Sequence, residues 1–220
     1  MRRLIVTSLV LSALTSAGAA RSSRIEFSYD ERTDEQCSSV QSQPIKSDWA
    51  AELRSRLPEF QALWESVGPT MTDAVATITK KPFAPAGPVH LTLCDTPSNS
   101  LVDVTVNMRH ALRSFTSTPV PLRYKVDTTF HETLHAFVSH NTPARSMLLS
   151  ANSSESSCVR NHLHLLALQK AVLLFIGDTR SLEQVIAIDS QLPSGCYKRA
   201  WELVNTTPDT YKRYVAELSE

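Results

Sequence analysis

The stretch Phe130-His131-Glu132-Thr133-Leu134-His135-Ala136-Phe137 decides how the rest of the chain is read. Phe130, Leu134 and Phe137 recur at helical spacing and Pro143 lies beyond the pattern, so the segment predicts a helix with Asp127 or Thr128 as N-cap. His131 and His135 stand at i and i+4, on one face and one turn apart. Two imidazoles so placed can bind one metal ion, while Glu132 faces the water that such a centre activates. Five of the seven histidines lie between His131 and His164, which concentrates the ligand-forming residues in this part of the chain.

Upstream of that helix, residues 89–94 and 101–108 alternate apolar and polar side chains around the turn-forming residues 95–100. This predicts a hairpin or two neighbouring strands. Ile25, Phe27 and Tyr29 predict a further short strand, and the polar residues 30–43, which lack any period, predict a loop. Trp49, Leu53, Leu57, Phe60, Leu63, Trp64 and Val67 predict a helix that Gly68-Pro69 ends and Pro58 kinks or splits, with a second helix over residues 71–80. Downstream, a serine-rich link over residues 141–157 leads to residues 159–176, apolar nearly all round, which predicts a buried central helix stopped by Gly177. Shorter helices are expected at 182–188, 197–204 and 211–218. The fold class is therefore α+β, mostly helical with a small sheet, in one domain over residues 21–220.

Composition narrows the function. The 220 residues carry 22 basic and 22 acidic side chains, so no overall field attracts nucleic acid or an anionic bilayer. Five glycines and no GxGxxG or GxxxxGK[ST] pattern argue against nucleotide chemistry. Arg2-Arg3, the apolar residues 4–14 and Ala17-Gly18-Ala19-Ala20 predict a signal peptide cleaved near Ala19 or Ala20, with an apolar core too short for stable membrane insertion. Export places Cys37, Cys94, Cys158 and Cys196 where an even set forms two disulfides, with three pairings open. The absence of any CxxC pair leaves no support for a cysteine-based zinc ribbon or redox site.

At His131-Glu132-Thr133-Leu134-His135 the sequence resembles the zincin metallopeptidases, and the likeness covers residues 89–173. It implies a zincin-like fold, Zn²⁺ as cofactor, a peptide or protein substrate, and a third ligand on a second helix. Ala136-Phe137-Val138-Ser139-His140 does not follow the HExxHxxGxxH branch, since His140 comes one place early and no glycine is present. Glu155, twenty positions after His135, is similar in spacing to the gluzincin ligand, although the companion NExxSD pattern is absent. We assign Glu155 as third ligand and hold His162 in reserve. Glu155 also suits a capping box with Asn152 as N-cap.

His162 lies seven residues after Glu155, on the same helical face but about 10.5 Å along the axis, so the two cannot both bind one ion. Whichever is not a ligand borders the cavity in another role, and for His162 that role is polarising or donating a proton. His164 projects away and is expected in the core. The catalytic set is thus Glu132 as general base, His162, and Tyr197 as oxyanion donor ahead of Tyr211 and Tyr214; the metal set is His131, His135 and Glu155. The strand over residues 101–107 offers an edge to which an extended peptide can add. The rival reading is an exported non-catalytic binding protein, with a closed structural zinc or no metal.

Overall fold

The computed structural model describes residues 25–40, 44–85 and 87–220; the expected signal peptide lies outside the described residues. Three short strands, β1 (Ile25–Tyr29), β2 (Gly87–Thr92) and β3 (Val104–Asn107), form one sheet in that order, and both pairings are parallel. The rest is mostly helical: α1 (Glu31–Val40), α2 (Ser47–Thr79), α3 (Leu122–Asn141), α4 (Met147–Ala151), α5 (Ser157–Phe175), α6 (Thr179–Asp189), α7 (Cys196–Val204) and α8 (Thr210–Leu218). The architecture is α+β, with a small sheet and α5 as the buried helix that the others pack around. Among the described residues, no helix is long and apolar enough to cross a membrane.

Three local expectations are corrected. Residues 31–40 form α1 rather than a loop. Their sequence has no apolar period, and tertiary bonds hold the helix: the buried Asp34 accepts from the Thr92 hydroxyl at 2.5 Å and from the Leu93 N–H at 2.9 Å. Residues 47–79 form one helix rather than two. Pro58 and Pro69 lie on its exposed side, where carbonyls released by a missing N–H can meet water, and Trp49, Leu53, Phe60, Trp64, Met71 and Val75 form a continuous buried face.

Gly68 is no terminator there; a Cβ at that position would meet the Trp64 ring at 2.5 Å, so the glycine makes room for the indole. Of the two arrangements expected for β2 and β3, neighbouring strands is the one found; they pair in parallel, and residues 93–103 are the return path between them. Finally, α3 begins at Leu122, with Pro121 as its N-cap residue. Asp127 is buried inside the helix, bound by Arg123 one turn earlier.

The crosslinks are Cys37–Cys94 and Cys158–Cys196, one of the three open pairings, and among the described residues no cysteine is free. The first ties α1 to the end of β2, and the second joins the start of α5 to the start of α7. They close loops of 57 and 38 residues in separation, and each is expected to contribute about 2–4 kcal/mol of stability. Thiol titration of denatured, unreduced protein should find no reactive group, and reductant should lower the urea midpoint.

His164 behaves as a core histidine: it is buried, its Nε2 lies 2.8 Å from Glu217, and Tyr214 packs edge-on against its ring. Burial holds its pKa below the ordinary 6.5 despite the carboxylate. Burial works to raise the pKa of Glu217, but the Ser146 hydroxyl, His164 and the Leu148 N–H outweigh it and hold that group below 4.5. Both shifts have the same sign in linkage. An unfolded chain takes up these protons at higher pH than the folded one, so the contribution is complete above about pH 6.5 and is lost as pH falls. The urea midpoint of wild type should therefore drop between pH 7 and 5 by more than that of His164→Gln, measured on both proteins.

Candidate metal centre

Helix α3 delivers three site residues because its inward face is built from Phe130, Leu134, Phe137 and Val138, which are buried, with Phe83 packed edge-on against Phe130 and Phe137. That orientation fixes His131, Glu132 and His135 toward α5. From α5 comes His162, and from the first turn of α7 comes Tyr197. The three imidazoles form a near-equilateral triangle, with ring centroids 5.1 Å apart for His131–His135, 5.4 Å for His131–His162 and 5.3 Å for His135–His162. One nitrogen from each ring lies within 4.8 Å of the other two, so this group can hold a metal ion.

The tautomers are set by the partners of the opposite nitrogens. His131 Nδ1 lies 3.1 Å from Gln169 Oε1, which can only accept, so Nδ1 carries the proton and Nε2 carries the lone pair. That Nε2 is buried and has no hydrogen-bond partner, as suits a ligand atom. His162 Nδ1 likewise donates to the Cys158 carbonyl at 2.7 Å, leaving Nε2 as its ligand atom. Burial, then the neighbouring rings of His162 and His135, holds His131 well below the ordinary imidazole value. Burial followed by His162 pushes His135 down to about 4, and burial lowers His162. All three are neutral at pH 7, the form in which imidazole binds metal.

Glu132 is buried beside the triangle, its Oε2 3.8 Å from His135 Nε2. Burial pushes its carboxyl up to about 7, against the opposing effect of a hydrogen bond from Ser100. The Tyr197 ring lies 4.5 Å from His162 and 5.6 Å from His131. Burial first, then the Glu132 and Asp189 carboxylates, raises its phenol, so it keeps its proton as a donor. The position of α7 is set by Asp189, a buried carboxylate that accepts from Tyr124 on α3 at 2.8 Å and from Trp201 on α7 at 3.0 Å.

His131, Glu132, His135, His162 and Tyr197 are therefore brought together, and Glu155 is not. Its carboxylate is taken by Arg199 at 2.7 and 3.1 Å, ahead of α5, and the group able to hold a metal has His162 in its place. Ser156, not Asn152, caps α5, its hydroxyl accepting from the Val159 N–H at 3.2 Å. Tyr211 and Tyr214 pack against Lys170 and His164 instead. His140 is exposed at the end of α3.

Two residues went unread in the sequence. Gln169 left a signal, since it is a polar residue seven places after His162 in a mostly apolar stretch of helix, and so on the same face. Its Nε2 also donates to the Asp127 carbonyl at 3.5 Å, which fixes which end of the amide meets His131. Ser100 left none. A second cluster, Cys158, His162 and Cys196, has its sulfurs in a disulfide and offers no thiolate. No family model, curated protein or solved structure matches this chain.

Proposed function

We propose that the protein is an exported zinc-dependent hydrolase of the zincin type, acting on the acyl carbon of a peptide bond. One observation carries this reading: three neutral imidazoles converge on a single point with the Glu132 carboxylate beside it. His131, His135 and His162 would hold the ion, a His₃ donor set compatible with zinc. When bound, zinc supplies Lewis-acid polarisation of the substrate carbonyl and acidification of water.

The chain's own groups do the remaining work. Glu132 takes the proton from the attacking water and passes it to the departing amine. Its carboxylate is buried beside the imidazoles, within reach of the space where a water bound to the ion would lie. Tyr197, holding its phenol proton, faces the same space and donates to the oxygen on which negative charge develops. The closed structural site of the rival reading needs a fourth protein ligand. Among the described residues, the cluster around His131 consists of three imidazoles. The two disulfides accord with export.

The test is metal content of the purified protein followed by hydrolysis of a mixed fluorogenic peptide library. About one zinc per chain with chelator-sensitive turnover is expected; one tightly held zinc without turnover on any peptide would favour the structural reading. The orienting amide gives a finer check. Gln169→Leu should keep the fold and lower zinc affinity by about 10–100-fold, read by competition with a chromogenic chelator, since His131 then loses the partner that sets its tautomer.

A further inference from the structure

The return path between β2 and β3 contains more than a connector needs. Parallel pairing requires residues 93–103 to run back along the sheet, and they do so along the outer side of β3. There Asn99 and Thr105 form an antiparallel bridge, each N–H donating to the other's carbonyl, at 2.9 and 2.8 Å. The Asn107 N–H donates to Ser98 Oγ at 3.0 Å, and Asn107 Nδ2 donates to the carbonyls of Cys94 and Thr96 at 2.9 and 2.7 Å. The base of this path is crosslinked through Cys94 to Cys37. One residue beyond the bridge, Ser100 lies near enough to Glu132 to oppose the upward shift of its carboxyl.

An extended peptide adds to a sheet through the free N–H and C=O groups of an edge strand. On β3 those groups at Thr105, and the N–H of Asn107, are already bonded to residues 98 and 99, so the edge expected to receive substrate is occupied by the chain itself. An incoming strand would have to break these bonds before forming equivalent ones, which gains nothing in hydrogen bonding. We propose that residues 98–100 are a built-in strand that bars extended peptides from β3, so that the site takes acyl substrates needing no strand pairing: short amides or the ends of chains. This rests on the metallohydrolase reading above.

Two probes separate the possibilities on the full-length mature chain loaded with zinc: acetohydroxamate, which needs only the metal, and a tripeptide hydroxamate, which can also pair as a strand. Calorimetry on wild type should give affinities within about threefold of each other, since the peptide part finds no edge. The double variant Ser98→Ala/Asn107→Ala, which touches neither Glu132 nor the imidazoles, should bind the tripeptide probe at least about tenfold more tightly, with acetohydroxamate unchanged. A wild-type preference for the tripeptide probe of tenfold or more, with loss of protection at the Thr105 amide on binding, would overturn the proposal.

Hydrogen exchange on metal-free wild type provides an arm independent of both the variant's folding and the metal. Protected Thr105 and Asn107 amides are expected, and exchange at the rate of an open chain would overturn the built-in strand. Failure of the protein to take up zinc would instead sink the metal reading and leave this arm to judge the strand.

Discussion

His162→Ala is expected to lower zinc affinity by about 10³-fold. Zinc sites in small domains bind with ~10–16 kcal/mol, so removing one of three protein ligands forfeits about 4 kcal/mol, which is three powers of ten. The substitution removes the side-chain bond to the Cys158 carbonyl, which remains within the hydrogen-bonded backbone of α5, so the fold should persist. Glu155→Ala is the matched control. Its carboxylate is engaged by Arg199 away from the imidazoles, and zinc affinity should stay within about threefold of wild type. Competition titrations against a chelator on both variants decide the question; stoichiometric tight zinc in His162→Ala with loss in Glu155→Ala would restore the acid as third ligand.

The second large effect separates metal holding from proton handling. Glu132→Gln should retain zinc within about threefold and lose at least about 10²–10⁴-fold in turnover, the range that a general acid–base commands. The amide has the shape of the carboxylate, so packing in this buried position is preserved. What it lacks is a basic oxygen able to take the proton. Initial rates on whichever peptide the library screen selects, with zinc measured on the same sample, test this. Equal turnover in the variant would remove Glu132 from the chemistry.

Much of this arrangement was legible in the residue order. The i, i+4 pair His131 and His135 with Glu132 between them needed only helical geometry. Residues 159–176 announced a buried helix by being apolar nearly all round, and α5 spans Ser157–Phe175. The errors have physical sources. Glu31–Val40 has no apolar face to read, because Asp34 and Cys37 anchor it through a carboxylate and a disulfide. Gly68-Pro69 looked like a stop signal, yet the glycine serves Trp64 and the proline faces solvent.

Spacing along the chain pointed to Glu155, and it is the pairing partner that sets this carboxylate apart from the imidazoles. Glu155 has Arg199 across from it, a residue forty-four positions away that no local pattern reveals. Ser100 was unreadable for the same reason, since its role depends on a path that exists only because β2 and β3 run parallel.

The bridge between Cys158 and Cys196 bears on how the protein must be prepared. One sulfur precedes His162 by a single helical turn and the other adjoins Tyr197, so a third imidazole and a phenol enter the site from one covalently closed segment. The glutathione pool of a cytosol, poised at about −220 to −320 mV, keeps most such thiols apart. Protein accumulated there would present the segment as an open chain, free to offer two thiolates beside His162 and capture metal in a sulfur-rich mode. Zinc stoichiometry from such material would include metal held by those thiolates. Oxidation therefore belongs before metal in any order of assembly, in the cell or at the bench.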